Sequence, residues 1–184
     1  MTLRRTIEVV TDLSKKQVIG NYAIAGAVAA LNYIQPMLTE DLDILISVDS
    51  FEKRPSGLLL LDPIERALSE MGYNERTNVG YKIEGWPVQF LPVASPLDEE
   101  ALEQAVTINA ARSSEAPLWA RCLTAEHVVA IALKVGRLKD LARIDAFLEQ
   151  GVVDLKALKN ILERHSLMAA WKDFCFKADR QDPL

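Results

Sequence analysis

Asp41-Leu42-Asp43 is the run in this chain whose residue types and spacing best suit metal-dependent chemistry. It leads into Ile44-Leu45-Ile46-Ser47-Val48, a β-branched and aliphatic stretch that predicts a buried strand. Side chains alternate faces along a strand, so Asp41 and Asp43 share one face while Leu42, Ile44 and Ile46 enter the core. Two adjacent carboxylates repel each other unless a divalent cation bridges them, and hard oxygen ligands suit Mg²⁺. Upstream, Gly26 stands between an apolar run, Tyr22-Ala23-Ile24-Ala25, and an Ala-rich segment, Ala27 to Leu31. A glycine at a strand-to-helix turn lets a phosphate approach the backbone, and the helix that follows offers it free N–H groups. A carboxylate pair beside such a turn is equipment for nucleotide chemistry. Taken singly, both features are common as a solvated strand end and an ordinary turn; the combination is what points to a site.

The elements that would hold these residues are readable in outline. Leu3, Ile7, Val10, Leu13 and Val18 recur near helical spacing and predict an amphipathic helix over 3–17. Gly20-Asn21 breaks it, and 22–25 predicts a short strand. Pro36 stops the Ala-rich helix, and Asp49-Ser50 turns the chain after the main strand. Asp62-Pro63 reads as N-cap and first turn of a helix reaching Met71. Tyr73–Thr77, Gly80–Ile83 and Trp86–Pro92 read as an antiparallel meander. Ser95 caps a helix with Asp98 at its third position. Leu118–Leu123 predicts a last strand, and Thr124 caps a helix over 125–135. The remainder is helical, broken near Gly151 and Ser166, where Asp154 and Ser166 read as caps. The fold class is therefore α+β: an α/β head over 1–123 carrying a mixed sheet flanked by helices, and an all-helical part over 124–184 packed on it.

Composition removes several classes of function. The net charge is −5 and 26% of residues are charged, so no broad basic face supports strong non-specific nucleic-acid binding. No apolar run approaches the roughly 18 residues a membrane span needs, and no secretory signal is read at the N-terminus, so a cytoplasmic protein with no membrane association is expected. Cys122 and Cys175 are far apart and outside any metal-binding pattern, so free thiols and no zinc are expected. His127 and His165 are isolated in sequence and read as structural.

Ala25-Gly26-Ala27-Val28-Ala29 followed by Thr39-Glu40-Asp41-Leu42-Asp43-Ile44-Leu45-Ile46 resembles the signature of the DNA polymerase β-like nucleotidyltransferase superfamily. That signature is a Gly-Gly or Gly-Ser turn, a helix, then Asp-x-Asp on the next strand. The segment Ile131-Ala132-Leu133-Lys134-Val135-Gly136-Arg137-Leu138-Lys139-Asp140-Leu141-Ala142-Arg143 is similar to the helical part of a small bacterial group within it, the AbiEii-type toxins of type IV toxin–antitoxin systems and their relatives. The resemblance spans 18–150 and is dense at 22–46 and 131–145. It implies transfer of a nucleoside monophosphate from an Mg-NTP to an acceptor, which is a tRNA, a protein or a small molecule. It implies that Asp41 and Asp43 hold Mg²⁺ and act in catalysis, that Gly26, Ala27 and Thr39 face the nucleotide, and that Lys134 and Lys139 neutralise phosphate charge. Arg137, Lys139 and Arg143 together suggest a local anion site in an otherwise acidic chain.

Two positions depart from the pattern. Ala27 stands where active members carry Ser or Gly, so the turn keeps its N–H but offers no hydroxyl. The family places a third carboxylate on a later strand, and in Gly85-Trp86-Pro87-Val88-Gln89-Phe90-Leu91 that position falls on Gln89, a poorer metal ligand and no general base. Glu84 belongs to the opposite face of a continuous strand, unless Gly85 bulges. A catalytically impaired relative that binds nucleotide or a protein partner is therefore the alternative expectation.

Overall fold

The computed structural model describes residues 3–35, 38–47, 61–111 and 116–184. Pro36, Val48 and the Asp49-Ser50 turn lie outside them.

Leu42–Ile46 forms the strand its aliphatic content predicts, and a six-stranded mixed sheet is built around it. In chain order the elements are α1 (Leu3–Lys15), β1 (Tyr22–Ile24), α2 (Gly26–Ala30), β2 (Leu42–Ile46), α3 (Asp62–Glu70), β3 (Tyr81–Ile83) and β4 (Trp86–Pro92). Then follow α4 (Pro96–Glu103), β5 (Val106–Asn109), β6 (Trp119–Cys122), α5 (Ala125–Val135), α6 (Leu138–Glu149), α7 (Leu155–Arg164) and α8 (Met168–Lys177). The strand order is β3-β4-β2-β1-β6-β5. β1 runs antiparallel to β2, whereas β2–β4 and β1–β6 are parallel. All of β1 and most of β2 are buried, as expected of central strands covered on both faces.

Four local expectations need revision. Within Tyr73–Thr77 only Arg76 reaches the sheet, through an isolated bridge to Tyr81, with its guanidinium 4.1 Å above the Tyr81 ring. Gly85 does not bulge: Glu84 and Gly85 form the two-residue turn between the paired Ile83 and Trp86, both with positive φ (51° and 87°), the geometry that suits a hairpin. Leu61 and Leu167, rather than Asp62 and Ser166, occupy the N-cap positions of α3 and α8. β5 has no strong signal, because its Val-Thr-Ile-Asn run lies at an edge with little buried surface. The caps at Ser95, Thr124 and Asp154 are in place, each side-chain oxygen accepting a backbone N–H three residues on.

α5 is the element that ties the sheet to the helical residues. It packs against α2, α4, α6, α7 and α8. Its Val128, Val129, Ala132 and Leu133 belong to the same buried core as Ile24 and Ile44 of the sheet and Phe147 and Trp171 of the later helices.

A polar cluster fastens α4 to α5 and α7. Glu100 accepts hydrogen bonds from Arg164 and from His165 Nε2 (2.7 Å), and lies 3.4 Å from Nε2 of the fully buried His127. The Arg164 hydrogen bond, with help from both histidines and against the cost of burial, holds the Glu100 carboxyl down at about 2. The sign follows: a carboxylate depressed on folding stabilises the protein above its ordinary value of 4.5, and that contribution drains away as pH falls toward 2. Burial pushes His127 down as well, which also costs stability as the pH falls below the ordinary 6.5. Melting temperature is therefore expected to drop steeply on acidification, and Glu100→Gln to flatten the curve between pH 5 and pH 2 while lowering stability at pH 7. Thermal melts of both proteins across that range check it.

Candidate active site

Gly26, Asp43 and Gln89 meet because three strands place them side by side. The Ala25 N–H donates to the Asp43 carbonyl (2.9 Å), which brings the end of β1 alongside the start of β2. Gly26 follows with φ +58°, and a Cβ built on it would come 2.2 Å from Asp43 Oδ2. The glycine is thus required twice, by its backbone conformation and by the carboxylate pressed against it. On the other side β2 pairs in parallel with β4, and the register sets Asp43 opposite Gln89. Neighbouring strands lie about 4.8 Å apart, so Gln89 is the side chain flanking Asp43 on β4. Glu84 is removed from this place by the hairpin turn, where its carboxylate accepts from Tyr73 Oη at 2.6 Å.

These residues open into a cleft of about 650 Å³. Asp41, Asp43 and Gln89 belong to one wall. The other comes from the junction of α5 and α6, with Val135, Arg137, Lys139 and Arg143. Ala27, Thr39, Glu40, Leu91 and the exposed apolar Leu38 and Val79 complete the lining. Gly136 makes the junction possible: it ends α5 in the left-handed conformation, φ 69°, and turns the chain so that Arg137 becomes the N-cap of α6. Burial raises the Asp43 carboxyl above its ordinary value, and the charge of Asp41 raises it further. The charges of Arg137, Lys139 and Arg143 act against both. The acidic and basic walls therefore feel each other across the cleft.

The cleft brings together Ala27, Thr39, Asp41, Asp43 and Lys139 from the sequence-derived set, with Gly26 packed behind Asp43. The Thr39 hydroxyl donates to the Asp41 carbonyl at 3.1 Å, so it fixes the loop that presents Asp41. Lys134 is placed elsewhere. Its ammonium donates to Ser95 Oγ (2.6 Å) and lies in a separate groove with Pro96, Arg164 and His165. One residue of α-helix turns the side-chain direction by about 100°, so Val135 faces the cleft and Lys134 does not. Sequence reasoning gave no role to Asp140, a carboxylate 1% exposed. It accepts from Arg137 Nε (2.6 Å) and Nη2 (3.2 Å) and from Arg143 Nη1 (3.2 Å). The Arg-x-x-Asp-x-x-Arg spacing was the available signal, since i, i+3 neighbours share a helix face.

Among the described residues no group of three or more His, Cys, Asp and Glu gathers to hold a metal. Asp41 and Asp43 still fit Mg²⁺, which keeps several waters and takes one or two carboxylates together with substrate phosphates. The crowding of two carboxylates, one of them partly desolvated, is what a hard cation would relieve.

The six-stranded mixed sheet flanked by helices is a fold that this chain shares with solved nucleotidyltransferase structures. The chain is similar to ANT(2″)-Ia, solved in complex with adenylyl-2″-tobramycin, at TM-score 0.53 and 11% identity, covering 93% of this chain and 99% of that one. It is also similar to an antigenic nucleotidyltransferase-like protein from Paracoccidioides brasiliensis, at TM-score 0.51 and 14% identity, covering 91% of each chain. No protein-family model matches the sequence, and no curated protein matches it closely enough to count as a relative. No helix among the described residues is long and apolar enough to cross a membrane.

Proposed function

We propose that this protein transfers a nucleoside monophosphate from an Mg-NTP to an acceptor in the cleft between β2 and the α5–α6 junction. The observation that carries the reading is the facing of Asp41 and Asp43 by Arg137, Lys139 and Arg143 across one cleft. Carboxylates on one side and cations on the other match the two ends of a metal-bound triphosphate. Asp41 and Asp43 would hold Mg²⁺, which when bound supplies Lewis-acid polarisation of the phosphoryl oxygens. Arg137 and Lys139 would offset charge building on the departing pyrophosphate as the acceptor oxygen bonds to the α-phosphorus and the bond to the bridging oxygen breaks. Ala27 keeps the backbone N–H of the turn, and Gly26 keeps Asp43 close to it.

The AbiEii-type relationship and a toxin–antitoxin role rest on the motif resemblance. Growth arrest on expression, relieved by Asp43→Asn, would support them.

A specific observation favours a second reading, in which the cleft binds nucleotide without transferring it. Gln89 occupies the register position beside Asp43, and an amide can neither take up the acceptor's proton nor bring a third negative charge. Gln89→Asp decides between the two. If the scaffold is a decayed enzyme, the substitution is expected to raise NMP transfer from a labelled NTP by about a hundredfold or more, the low end of what a positioned base contributes. Transfer already present in the wild type and unaffected by the change would favour the first reading. Intact Mg-NTP binding with no transfer in either protein would favour the second.

A further inference from the structure

We infer that Asp140 is a positioning residue that presets Arg137 and Arg143 as a two-pronged receptor for a polyphosphate oxyanion; this rests on the nucleotide reading of the cleft. Asp140 lies almost wholly inside the protein, yet both of its hydrogen-bonding partners line the cleft. Its carboxylate takes two N–H groups from Arg137 and one from Arg143. Arg143 is itself more than nine-tenths buried, and its Nε has no partner among the described residues. An unpaired donor on a buried charged group is costly. The orphaned donor leaves the Arg143 charge short of a compensating partner beside the cleft that it lines. The charge count agrees. One carboxylate is shared by two guanidinium groups, so one positive charge stays uncompensated there, and Lys139 adds another on the same wall.

The arrangement solves a mechanical problem. Arg137 is more than half exposed, at 58% for its side chain, and a free arginine there would sample many rotamers. Hydrogen bonds from Nε and Nη2 to one carboxylate fix the plane of the guanidinium and leave its outer edge for a ligand. Arg143, one turn beyond Asp140 on α6, donates to the same carboxylate.

Inorganic tripolyphosphate is the probe, titrated calorimetrically with Mg²⁺ present into the wild type and into Arg137→Met, Asp140→Asn and Arg143→Lys. It carries no nucleoside and gives no transfer product, so its binding is read independently of whether NMP transfer occurs. Wild-type binding is expected, weakened about tenfold by each substitution, the equivalent of one charge-assisted hydrogen bond. Asp140→Asn is the telling variant. It removes a negative charge near the anion, so an electrostatic bystander would make tripolyphosphate bind more tightly. Weaker binding identifies positioning. Tighter or unchanged binding by a variant that melts near the wild-type temperature overturns the inference, as does absence of tripolyphosphate binding to the wild type while NTP transfer persists. If Asp140→Asn fails to fold, Arg143→Lys decides at constant charge: wild-type affinity there overturns the inference, and a tenfold loss upholds it.

Discussion

Asp43→Asn is expected to abolish Mg²⁺-dependent NTP binding and transfer while leaving the protein at least as heat-stable as the wild type. The two effects have opposite signs because one carboxylate carries both. Burial raises the Asp43 carboxyl and the Asp41 charge raises it further. A carboxyl raised on folding binds its proton more tightly in the native state than in the unfolded one. Ionised Asp43 therefore opposes folding, increasingly as pH rises past the ordinary value of 3.8 and through its folded value. At pH 7 a neutral amide of the same shape removes that burden and the repulsion from Asp41. The loss of function should be large, about a hundredfold or more, as for other preorganised charged groups at reacting phosphates. Calorimetric titration of each NTP, with and without Mg²⁺, reads the binding. A thermal melt without ligand reads the stability. A melting temperature that falls sharply together with the binding would mean that Asp43 is a structural strand terminus, and the reading of the cleft would fail.

Gly26→Ala should damage both stability and binding, and a control elsewhere in the chain separates the two. Alanine at φ +58° costs about 1–2 kcal/mol by conformation alone. For a chain of this length that corresponds to a melting temperature lowered by roughly 2–8 °C. The added methyl would also sit 2.2 Å from Asp43 Oδ2, so the carboxylate has to rotate away. Gly151 has a similar conformation, φ +63°, with nothing within 4 Å of a built Cβ. Gly151→Ala is therefore expected to lose comparable stability and keep Mg-NTP binding, whereas Gly26→Ala loses at least about tenfold in affinity through the displaced ligand. Equal binding by the two variants would show that the contact between Gly26 and Asp43 has no part in the site.

The parts of the molecule that were legible in the sequence are those where one local rule dominates. Leu42–Ile46 reads as a strand because β-branched and aliphatic side chains fill both faces of a central strand. Thr124 and Asp154 read as caps because their side chains satisfy N–H groups three residues ahead. Gln89 stands out only because the family resemblance places a third acid on that later strand, and the β2–β4 register then sets it opposite Asp43. What stayed hidden depends on distant partners. β5 is a strand because β6 is available to pair with it, not because Val106–Asn109 demands it. His127 and His165 look unrelated until α4 brings Glu100 between them. Asp140 looks like an acidic residue in the first turn of a helix. Its burial between two arginines is set by how α6 packs, and no composition rule reports that. Lys134 and Val135 differ by one position, and only the helical phase of α5 decides which of them meets the cleft.

That phase has a consequence for how the chain can vary. α5 starts at the sheet and ends at Gly136, where the basic wall begins, so it acts as a ruler between the two halves of the cleft. Adding or deleting one residue within it would turn everything beyond by about 100° and shift it by about 1.5 Å. Arg137 and Lys139 would then swing away from Asp43 even though each local sequence stayed intact. Substitutions can accumulate along α5 wherever volume is conserved, but its length is frozen. Sequences that share this cleft should therefore show no insertions or deletions between Thr124 and Gly136.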